Sequence, residues 1–344
     1  MERRLTSLEI CAGAGGQALG LEQAGFRHVA LVEIDPFACA TLRHNRPSWN
    51  VLEADLHSFS ARPFRGTVDL FAGGVPCPPF SKAGKQLGPG DERDLFPEAL
   101  RLIEECEPRA VMLENVRGLL DPAFDDYRDS INTRLRSMGF SPSWRLLHAS
   151  DYGVPQLRPR VVCVAMADDY AGRFDWPTPD PDGAPSLGDV LLEDMAAGGW
   201  PGADEWARSA RGVAPTLVGG SKKHGGPDLG PTRARRAWAS LGVDGGTLAE
   251  RPPSREHTGM PRLTVPMAAK LQGFPSSWEF AGRKTHAYRQ VGNAFPPPVA
   301  RAVGEAIRAA LEQQSELEQG FQVQLWRTVD QVPETSFAAT SKPM

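Results

Sequence analysis

A single cysteine, Cys77, stands between prolines just after an apolar stretch, residues 68–72, that predicts a buried strand. Pro76 fixes its own φ and Pro78 favours an extended backbone at the cysteine, so the thiol is held on a rigid bend. The bend follows the carboxyl end of the strand, which is the edge where open α/β sheets bind ligands. The simpler alternative is a proline-rich turn around a small buried residue.

Charged side chains are predicted near the same edge of the sheet. Glu114 directly follows a predicted strand, residues 109–113, so a carboxylate ends a strand beside the edge that carries the cysteine. Arg158 and Arg160 occupy alternate positions of an extended segment and should therefore point the same way. On their own, the two arginines favour an exposed position on an edge strand.

A glycine-rich turn follows the first predicted strand, residues 5–10, and precedes a helix that ends at Ala24. Its glycines let the backbone approach a ligand, and the helix N-terminus offers unpaired N–H groups. A second strand ends at Glu33, about 20 residues beyond the glycines, where a carboxylate can bind two ribose hydroxyls. The pattern predicts a nucleotide-type site, although an ordinary structural turn explains the glycines about as well.

A third short strand, residues 50–54, ends at Asp55, so two successive strands end in an acid at one edge. N-capping of the next helix is an alternative for Asp55 and for Asp35, but it fits Glu33 poorly. The glycine turn contains no lysine or arginine and lacks the phosphate-loop pattern, which disfavours a triphosphate. A nucleoside that carries a small charged group fits the turn better.

The order of these segments predicts an α/β fold with a doubly wound, mostly parallel sheet. Two further strands are predicted at 143–147 and 160–166, after helices at 96–106 and 124–138. The composition of the sequence changes after residue 172, where proline, glycine and tryptophan become frequent and the helical periodicity of apolar residues is poor. This part predicts a second, smaller and irregular domain.

Regular structure returns near the C-terminus with predicted helices at 264–271 and 299–313. Apolar residues recur at every fourth position of the second helix, so one of its faces should pack on a core. Residues 81–94 are polar and glycine-rich and predict a mobile lid. Residues 314–344 are polar with scattered aromatics and predict a mostly disordered tail.

Composition restricts the remaining choices. The chain of 344 residues has a net charge of −4, so any polyanion site must be local. The five cysteines include no CxxC pair, which indicates neither a disulfide framework nor a zinc knuckle. No signal peptide or membrane-length apolar run is found, and we expect a soluble protein of a reducing, intracellular compartment.

A basic segment interrupts this mildly acidic chain. Between residues 208 and 236 there are seven lysines and arginines and one acid, Asp228. Such a segment is typical of a polyanion-binding surface. A solvated charged face is an equally good alternative.

Together, these motifs resemble those of the DNA (cytosine-5) methyltransferases, the bacterial modification enzymes, over roughly residues 5–312. The family's short blocks occur in their usual order, which makes the joint match specific. In this chain the blocks are residues 9–16, Pro76-Cys77, Glu114-Asn115-Val116, Gln156-x-Arg158-x-Arg160, 262–275 and 290–294. Cys11 stands where the family usually has phenylalanine, and Pro78 where it usually has glutamine.

The resemblance implies a catalytic set. Cys77 would add to carbon 6 of a flipped-out cytosine so that carbon 5 can attack the methyl group of S-adenosylmethionine. Glu114 would bind ring N3 and the exocyclic amine, Arg160 would hold O2, and Arg158 would brace the site or the lid. No metal is implied. The implied cofactor-binding residues are Cys11, Ala12, Gly13, Gly15, Gly16, Glu33, Ile34, Asp55, Leu56, Pro76, Asn293 and Ala294.

The resemblance also implies a domain arrangement and a partner. Residues 1–172 and 283–312 would form a discontinuous catalytic domain, 173–282 a target-recognition domain, and 313–344 a flexible tail. The helix after Asn293 would pack back beside the first strand. Duplex DNA would be contacted by Ser81, Lys82, Lys85, Gln86, Lys222, Lys223, Arg233, Arg235 and Arg236.

Two alternatives to DNA methylation are considered. A tRNA cytosine-5 methyltransferase would share the fold, but the long basic insert favours DNA. A DNA-binding module without catalysis is disfavoured by the intact Cys77, Glu114 and Arg160. We expect a monomeric, cytoplasmic, nucleoid-associated enzyme with no membrane contact, plausibly paired with a cognate restriction endonuclease.

Overall fold

The computed structural model describes residues 4–76, 94–219 and 226–329, with side chains in the last helix described up to residue 313. Within these residues seven strands form one sheet. The strands are β1 (Thr6–Ile10), β2 (Arg27–Glu33), β3 (Val51–Glu53), β4 (Leu70–Gly74), β5 (Ala110–Val116), β6 (Phe140–His148) and β7 (Pro159–Ala167).

Ten α-helices are found in the same described ranges, and six of them alternate with or cover the strands. These six are α1 (Gly16–Gln23), α2 (Pro36–Asn45), α3 (Phe96–Cys106), α4 (Asp125–Ser137), α9 (Lys284–Asn293) and α10 (Pro297–Val329). The other four lie in the irregular part of the chain: α5 (Leu187–Ala196), α6 (Ala203–Ser209), α7 (Thr232–Ala239) and α8 (Val265–Leu271). No helix of the described residues is long and apolar enough to cross a bilayer.

The sheet has the order β3-β2-β1-β4-β5-β7-β6. Strands β1 to β5 pair in parallel, whereas β7 runs antiparallel to both of its neighbours. All five residues of β1 are buried, as expected for a central strand covered by helices on both faces. The predicted α/β fold with a mostly parallel sheet is confirmed. The change of winding direction beside β1 and β4 leaves a crevice at their carboxyl ends, where such sheets bind ligands.

Helix α10 returns to the start of the chain and packs on α1. A Cβ atom at Gly20 would lie 2.4 Å from the carbonyl oxygen of Pro297, and one at Gly304 would lie 2.9 Å from the Cβ of Ala24. These glycines therefore let the two helices approach closely. Leu5, directly before β1, lies in the same hydrophobic cluster as Val299 and Val303 of α10. The expectation that this helix packs back beside the first strand is confirmed.

The same helix corrects the expected start of the disordered tail. Helix α10 continues to Val329, beyond residue 314, where the sequence predicts a mostly disordered segment. Residues 314–319 are glutamine, serine, glutamate and leucine, and most of these are good helix formers. An existing helix can extend through them without a new nucleation step. The rest of the predicted tail, residues 330–344, lies outside the described residues.

The irregular part of the chain has a hydrophobic core of its own. Leu191, Trp206 and Trp238 are buried in it, and short helices joined by proline- and glycine-rich loops surround it. The same core also takes in Val291 of α9 and Leu19 of α1. Because the core is shared in this way, the division of the chain at 172–173 and 282–283 stays a prediction.

A backbone-to-backbone contact joins this irregular part to α9. A Cβ atom at Gly292 would lie 2.4 Å from both the Cα and the N atom of Gly219. A Cβ atom at Gly219 would lie 2.6 Å from Oδ1 of Asn293. Only glycine fits on both sides of this crossing.

Burial of one histidine predicts a pH-dependent stability. His28 is buried beneath α1, where its ring contacts Ser7 Oγ at 2.8 Å and the carbonyl oxygen of Ala18 at 3.0 Å. Desolvation lowers the pKa of His28 to about 4, against an opposing effect of the hydrogen bond to Ala18. The unfolded chain therefore binds more protons than the folded one between roughly pH 4 and 6.5.

We expect the contribution of neutral His28 to be fully present above about pH 6.5 and to be lost as the pH falls toward 4. The total change is about 3 kcal/mol. The measurement is the free energy of unfolding in urea from pH 4.5 to 8, compared between the wild type and His28→Gln. The difference between the two proteins should shrink with falling pH. A difference that is constant over this range would contradict the prediction.

Candidate active site

A pocket opens at the carboxyl ends of the central strands. It has a volume of about 320 Å³, within the range of small-molecule sites. Its wall is formed by the glycine turn after β1, the ends of β2, β4 and β5, the loop after β3, and the last turn of α9. The predicted site residues that line it are Cys11, Ala12, Gly13, Gly16, Glu33, Ile34, Asp55, Leu56, Pro76, Glu114, Asn293 and Ala294.

Gly15 differs from the other glycines of the turn because it does not line the pocket. It is the N-cap residue of α1, with φ of 88°. A Cβ atom there would lie 2.7 Å from Leu42 and 3.0 Å from Trp278. Its positive φ and its close neighbours require glycine. Gly15 therefore shapes the turn, whereas Gly13 faces the pocket with open space around it.

Glu33 connects the end of β2 to the glycine turn. Its Oε2 accepts a hydrogen bond of 2.7 Å from the N–H of Gly13, and its Oε1 accepts bonds from the N–H groups of Ile34 and Asp35. A carboxylate has about four acceptor positions, so roughly one is left for a ligand hydroxyl. Asp35 in turn accepts from the N–H groups of Phe37 and Ala38 at the start of α2, so the N-cap alternative is correct for this residue.

The base of the pocket holds polar atoms that sequence reasoning missed. Glu9 and Gln17 line the pocket and are buried. Oε2 of Glu9 and both polar atoms of the Gln17 amide have no hydrogen-bond partner among the described residues. Burial, together with the charge of Glu33, raises the pKa of Glu9 well above its usual range. A signal for Glu9 was present in the sequence, because a carboxylate stands between the apolar Leu8 and Ile10 in a strand that is predicted to be buried.

Cys11 lies beside these groups at the end of β1, with φ of 49°. Burial, with smaller effects of Glu33 and Glu9, raises the pKa of this thiol far above its ordinary value. The thiol therefore stays protonated and acts as a small apolar wall of the pocket. The exposed side chain of Ile34 lies on the same pocket, at the end of β2.

Glu114, which lines the pocket, forms a largely buried ion pair with Arg160. Nε of Arg160 lies 2.8 Å from Oε1 of Glu114, and the two side chains are 13% and 11% exposed. Antiparallel pairing of β5 with β7 brings the two residues to the same edge. Burial raises the pKa of Glu114 against the opposing charges of Arg160 and Arg158, and burial lowers the pKa of Arg160. Each group is therefore closer to its neutral form than in water.

The segment that leads to Cys77 is anchored beside this pair. Glu114 is in register with Gly74 of β4, where a Cβ atom would lie 3.2 Å from Oε2 of the glutamate. Nδ2 of Asn115 donates a hydrogen bond of 2.9 Å to the carbonyl oxygen of Val75. The chain thus passes Glu114 immediately before the cysteine. Cys77 and the predicted DNA contacts Ser81, Lys82, Lys85 and Gln86 lie outside the described residues.

Arg158 is placed differently from Arg160. Neither arginine is part of the pocket wall, but the side chain of Arg158 is fully buried and bonds to backbone carbonyl groups instead of to Glu114. Nη1 donates to the carbonyl oxygen of Leu217 at 2.9 Å, and Nη2 donates to those of Gly292 and Ala294 at 2.8 and 2.7 Å. The alternative of two surface arginines on an edge strand is wrong, because each guanidinium has buried partners that a pattern of alternation cannot reveal.

The predicted basic surface is described only in part. Arg233, Arg235 and Arg236 lie on α7 with their side chains exposed. None of the three forms an ion pair with an acid of the described residues. Lys222 and Lys223 lie outside the described residues. The last turn of α9 adds Arg289 and Gln290 to the pocket wall, and Phe295 follows. These three residues adjoin the final block of the sequence pattern.

The strand order and a pocket at the carboxyl edge define a Rossmann-like α/β enzyme of the methyltransferase type. The chain belongs to the family of C-5 cytosine-specific DNA methylases, whose model matches residues 5–309. It is thus a DNA (cytosine-5) methyltransferase, and the family resemblance drawn from the sequence motifs is confirmed.

Two relatives match nearly the whole chain. The Type II methyltransferase M.NgoMIV of Neisseria gonorrhoeae is 54% identical over 91% of this chain and 100% of its own length. The Type II methyltransferase M.NaeI of Lentzea aerocolonigenes is 57% identical over 91% of this chain and 76% of its own length. Among solved structures, a DNMT2 mutant of Spodoptera frugiperda shares the fold, with a TM-score of 0.59, 20% identity, and coverage of 89% of this chain and 99% of that chain.

Proposed function

We propose that the protein transfers a methyl group from S-adenosylmethionine to carbon 5 of a flipped-out cytosine in a specific duplex DNA sequence. The observation that carries this proposal is one continuous pocket. Its wall includes both Glu114, which is paired with Arg160, and the glycine turn with Glu33. A nucleoside cofactor and a reacting base could therefore meet in the same crevice.

The residues of the pocket suit S-adenosylmethionine. Glu33 keeps about one acceptor position for a ribose hydroxyl. Asp55 and Leu56 lie on the wall next to the apolar side chain of Ile34, which suits an adenine ring. The unpartnered polar atoms of Glu9 and Gln17 suit the charged amino-acid end. When bound, this cofactor supplies an electrophilic methyl group.

The reaction needs a nucleophile because carbon 5 of cytosine is unreactive in the intact ring. The Cys77 thiolate forms a bond to carbon 6, and the electron pair of the 5,6 double bond makes carbon 5 nucleophilic. Carbon 5 would then take the methyl group as the methyl–sulfur bond breaks and the cofactor leaves as its neutral thioether. Loss of the carbon-5 proton and elimination of the thiolate would restore the ring. Pro76 at the pocket wall and the Asn115–Val75 hydrogen bond direct the backbone that carries this cysteine.

Glu114 and Arg160 stabilise the altered ring. The raised pKa of Glu114 favours its protonated form, which can donate a hydrogen bond to ring N3 as negative charge develops there. Arg160 orients the carboxyl group through Nε, and Nη1 donates to the carbonyl oxygen of Pro159 at 2.9 Å, so the remaining Nη hydrogens are the donors for the ring oxygen O2. Arg158 does not touch the pocket and acts as a positioning residue.

The substrate and the biological context follow from the relatives. Both relatives described above are named Type II methyltransferases, so we propose a role in a Type II restriction–modification system, with a cognate endonuclease as the functional counterpart. The exposed arginines of α7 would contact phosphates. Residues 173–282 would form the target-recognition domain. The protein would act as a monomer in the cytoplasm, on nucleoid DNA.

Adduct trapping tests the proposed function. The protein is incubated with S-adenosylmethionine and duplex DNA that contains 5-fluorocytosine in many sequence contexts. We expect a denaturant-stable protein–DNA species, because fluorine cannot leave as a proton does and the cysteine then stays attached. Cys77→Ala should form none. Cys106→Ala is the matched control, since Cys106 is buried in the helical layer, and it should form the species.

The alternative outcomes separate the rival functions. A species on fluorinated tRNA but not on DNA would overturn the choice of substrate and favour an RNA methyltransferase. No species on either nucleic acid, with intact binding of DNA, would favour a binding module.

A further inference from the structure

A second concave site lies in the irregular part of the chain, away from the catalytic pocket. It has a volume of about 580 Å³ and is lined by polar residues together with Ala249, two prolines and Met260. Its lining includes Asp244, Arg251, His257, Met260 and Arg262. Its two arginines and one histidine face a single carboxylate, so the site is suited to a partner rich in acceptors.

Backbone hydrogen bonds between separate segments hold the chain around this site, although residues 244–262 contain no helix. The N–H of Asp244 donates to the carbonyl oxygen of Pro261 at 2.9 Å, and the N–H of Ala249 donates to that of Leu263 at 2.8 Å. Leu263 is fully buried, and Thr264 directly after it caps α8. Arg262 therefore lies between two residues whose carbonyl oxygens are held by backbone hydrogen bonds, directly before the start of α8.

The side chain of Arg262 is held as well. Its Nε donates to Oδ2 of Asp244 at 2.7 Å, while Oδ1 of Asp244 accepts from the N–H of Gly246 at 2.9 Å. The Gly246 N–H and the Arg262 guanidinium lower the pKa of Asp244, so the carboxylate stays charged. Asp244 thus engages the inner edge of the guanidinium. The two Nη groups remain, on a side chain that is 48% exposed.

A guanidinium held at Nε presents its Nη1 and Nη2 donors as a parallel fork. Such a fork matches the O6 and N7 acceptors of guanine in the major groove, and this is the commonest specific contact between proteins and DNA. The neighbouring groups add to this surface. Nε2 of His257 is buried without a partner among the described residues, and the ring is held edge-on by Trp200 at 5.4 Å.

The site lies within reach of the DNA around the reacting base. Lys284, the first residue of α9, donates to the carbonyl oxygen of Leu248 at 3.0 Å and forms an ion pair of 2.8 Å with Glu250. The opposite end of α9 carries Asn293 on the wall of the catalytic pocket. A ten-residue helix is about 15 Å long, which is roughly four steps of about 3.4 Å along a DNA strand.

We propose that Arg262, braced by Asp244, is a specificity-determining residue that recognises a guanine near the target cytosine. This inference rests on the proposed function, since it needs duplex DNA as the substrate. Arg251 would contact the same or the adjacent base pair. The role is one of readout and not of catalysis, because Arg262 belongs to the second site and does not line the catalytic pocket.

The test is methylation of a random duplex library, followed by sequencing that distinguishes 5-methylcytosine from cytosine. Wild type, Arg262→Met, Arg262→Lys and Asp244→Asn are compared. We expect Arg262→Met to lose its preference for guanine at one position of the methylated motif by roughly 5- to 150-fold. Arg262→Lys keeps the charge but not the planar fork, and Asp244→Asn weakens the brace, so both should lose part of the preference at that same position.

Arg301→Met is the matched control. Arg301 is 55% exposed and pairs with Glu305 at 2.8 Å on α10. Its substitution therefore removes a surface ion pair similar to that between Arg262 and Asp244. Its methylated motif should equal that of the wild type. A uniform loss of methylation with an unchanged motif in Arg262→Met, retained by Arg262→Lys, would overturn guanine recognition and indicate a phosphate contact. An unchanged motif and rate would overturn the proposal altogether.

Failure of the proposed function would look different in the same experiment. No 5-methylcytosine would form with the wild type or with any variant. Methylation by the wild type together with an unaltered motif in every variant would refute only the role of Arg262.

Discussion

Glu114→Gln is expected to lower the rate of DNA methylation by roughly 10²- to 10⁴-fold while the protein remains folded. Glutamine preserves the size of the side chain and can still accept from Arg160. Its amide is far less acidic than the carboxyl group that burial keeps closer to its protonated form, so it gives a weaker hydrogen bond to ring N3 as negative charge develops there. The measurement is single-turnover transfer of a labelled methyl group, with far-ultraviolet circular dichroism as the test of folding.

The control for this prediction is Glu312→Gln. Glu312 is about half exposed on α10 and pairs with Arg308 at 2.6 Å, so this variant removes a carboxylate from an arginine pair outside the pocket. It should methylate DNA at the wild-type rate. If Glu114→Gln retained the wild-type rate as well, the proposed role of Glu114 in stabilising the ring would be wrong.

Arg158→Met is expected to lower the free energy of unfolding by about 3–5 kcal/mol. The guanidinium binds the carbonyl oxygens of Leu217, Gly292 and Ala294, and all three acceptors are buried together with it. Two of the carbonyls lie at the C-terminal end of α9, where the helix dipole favours a positive charge. Methionine fills part of the volume but removes all three hydrogen bonds, and of the three carbonyl oxygens that of Ala294 still accepts from Nε2 of Gln272 at 2.7 Å.

Urea unfolding of Arg158→Met and Arg301→Met distinguishes a buried cation from a surface one. Arg301→Met should change the free energy of unfolding by less than about 1 kcal/mol, because its partner and its guanidinium are solvated. Equal stability of the two variants would show that the hydrogen bonds of Arg158 contribute little.

The sequence was informative wherever a residue type was unusual for its element. Glu33 and Glu114 each end a predicted strand, and parallel pairing forces such ends to one edge, so their common pocket could be predicted. Arg160 could be placed near Glu114 only through the resemblance. The roles of the individual site residues, including Cys77 as the nucleophile, stay predictions until adducts are trapped.

Contacts between distant segments could not be predicted in the same way. The burial of Arg158 depends on residues about 60 and 135 positions away along the chain. Glu9 and Gln17 form the polar base of the pocket because β1 and α1 turn them inward, which the glycine pattern does not reveal. The full length of α10 could not be predicted, because the polar composition of the chain after residue 314 is typical of disorder. Most residues at 314–319 are also good helix formers.

The crossing of Gly219 with Gly292 restricts how recognition segments can be exchanged between related enzymes. The segment that carries Gly219 belongs to the region expected to choose the DNA sequence, and Gly292 belongs to the part that holds the cofactor pocket. A Cβ atom on either side would strike a neighbour at 2.4–2.6 Å. A hybrid built from two parents with different sequence preferences would therefore join correctly only where both parents supply glycine at this crossing.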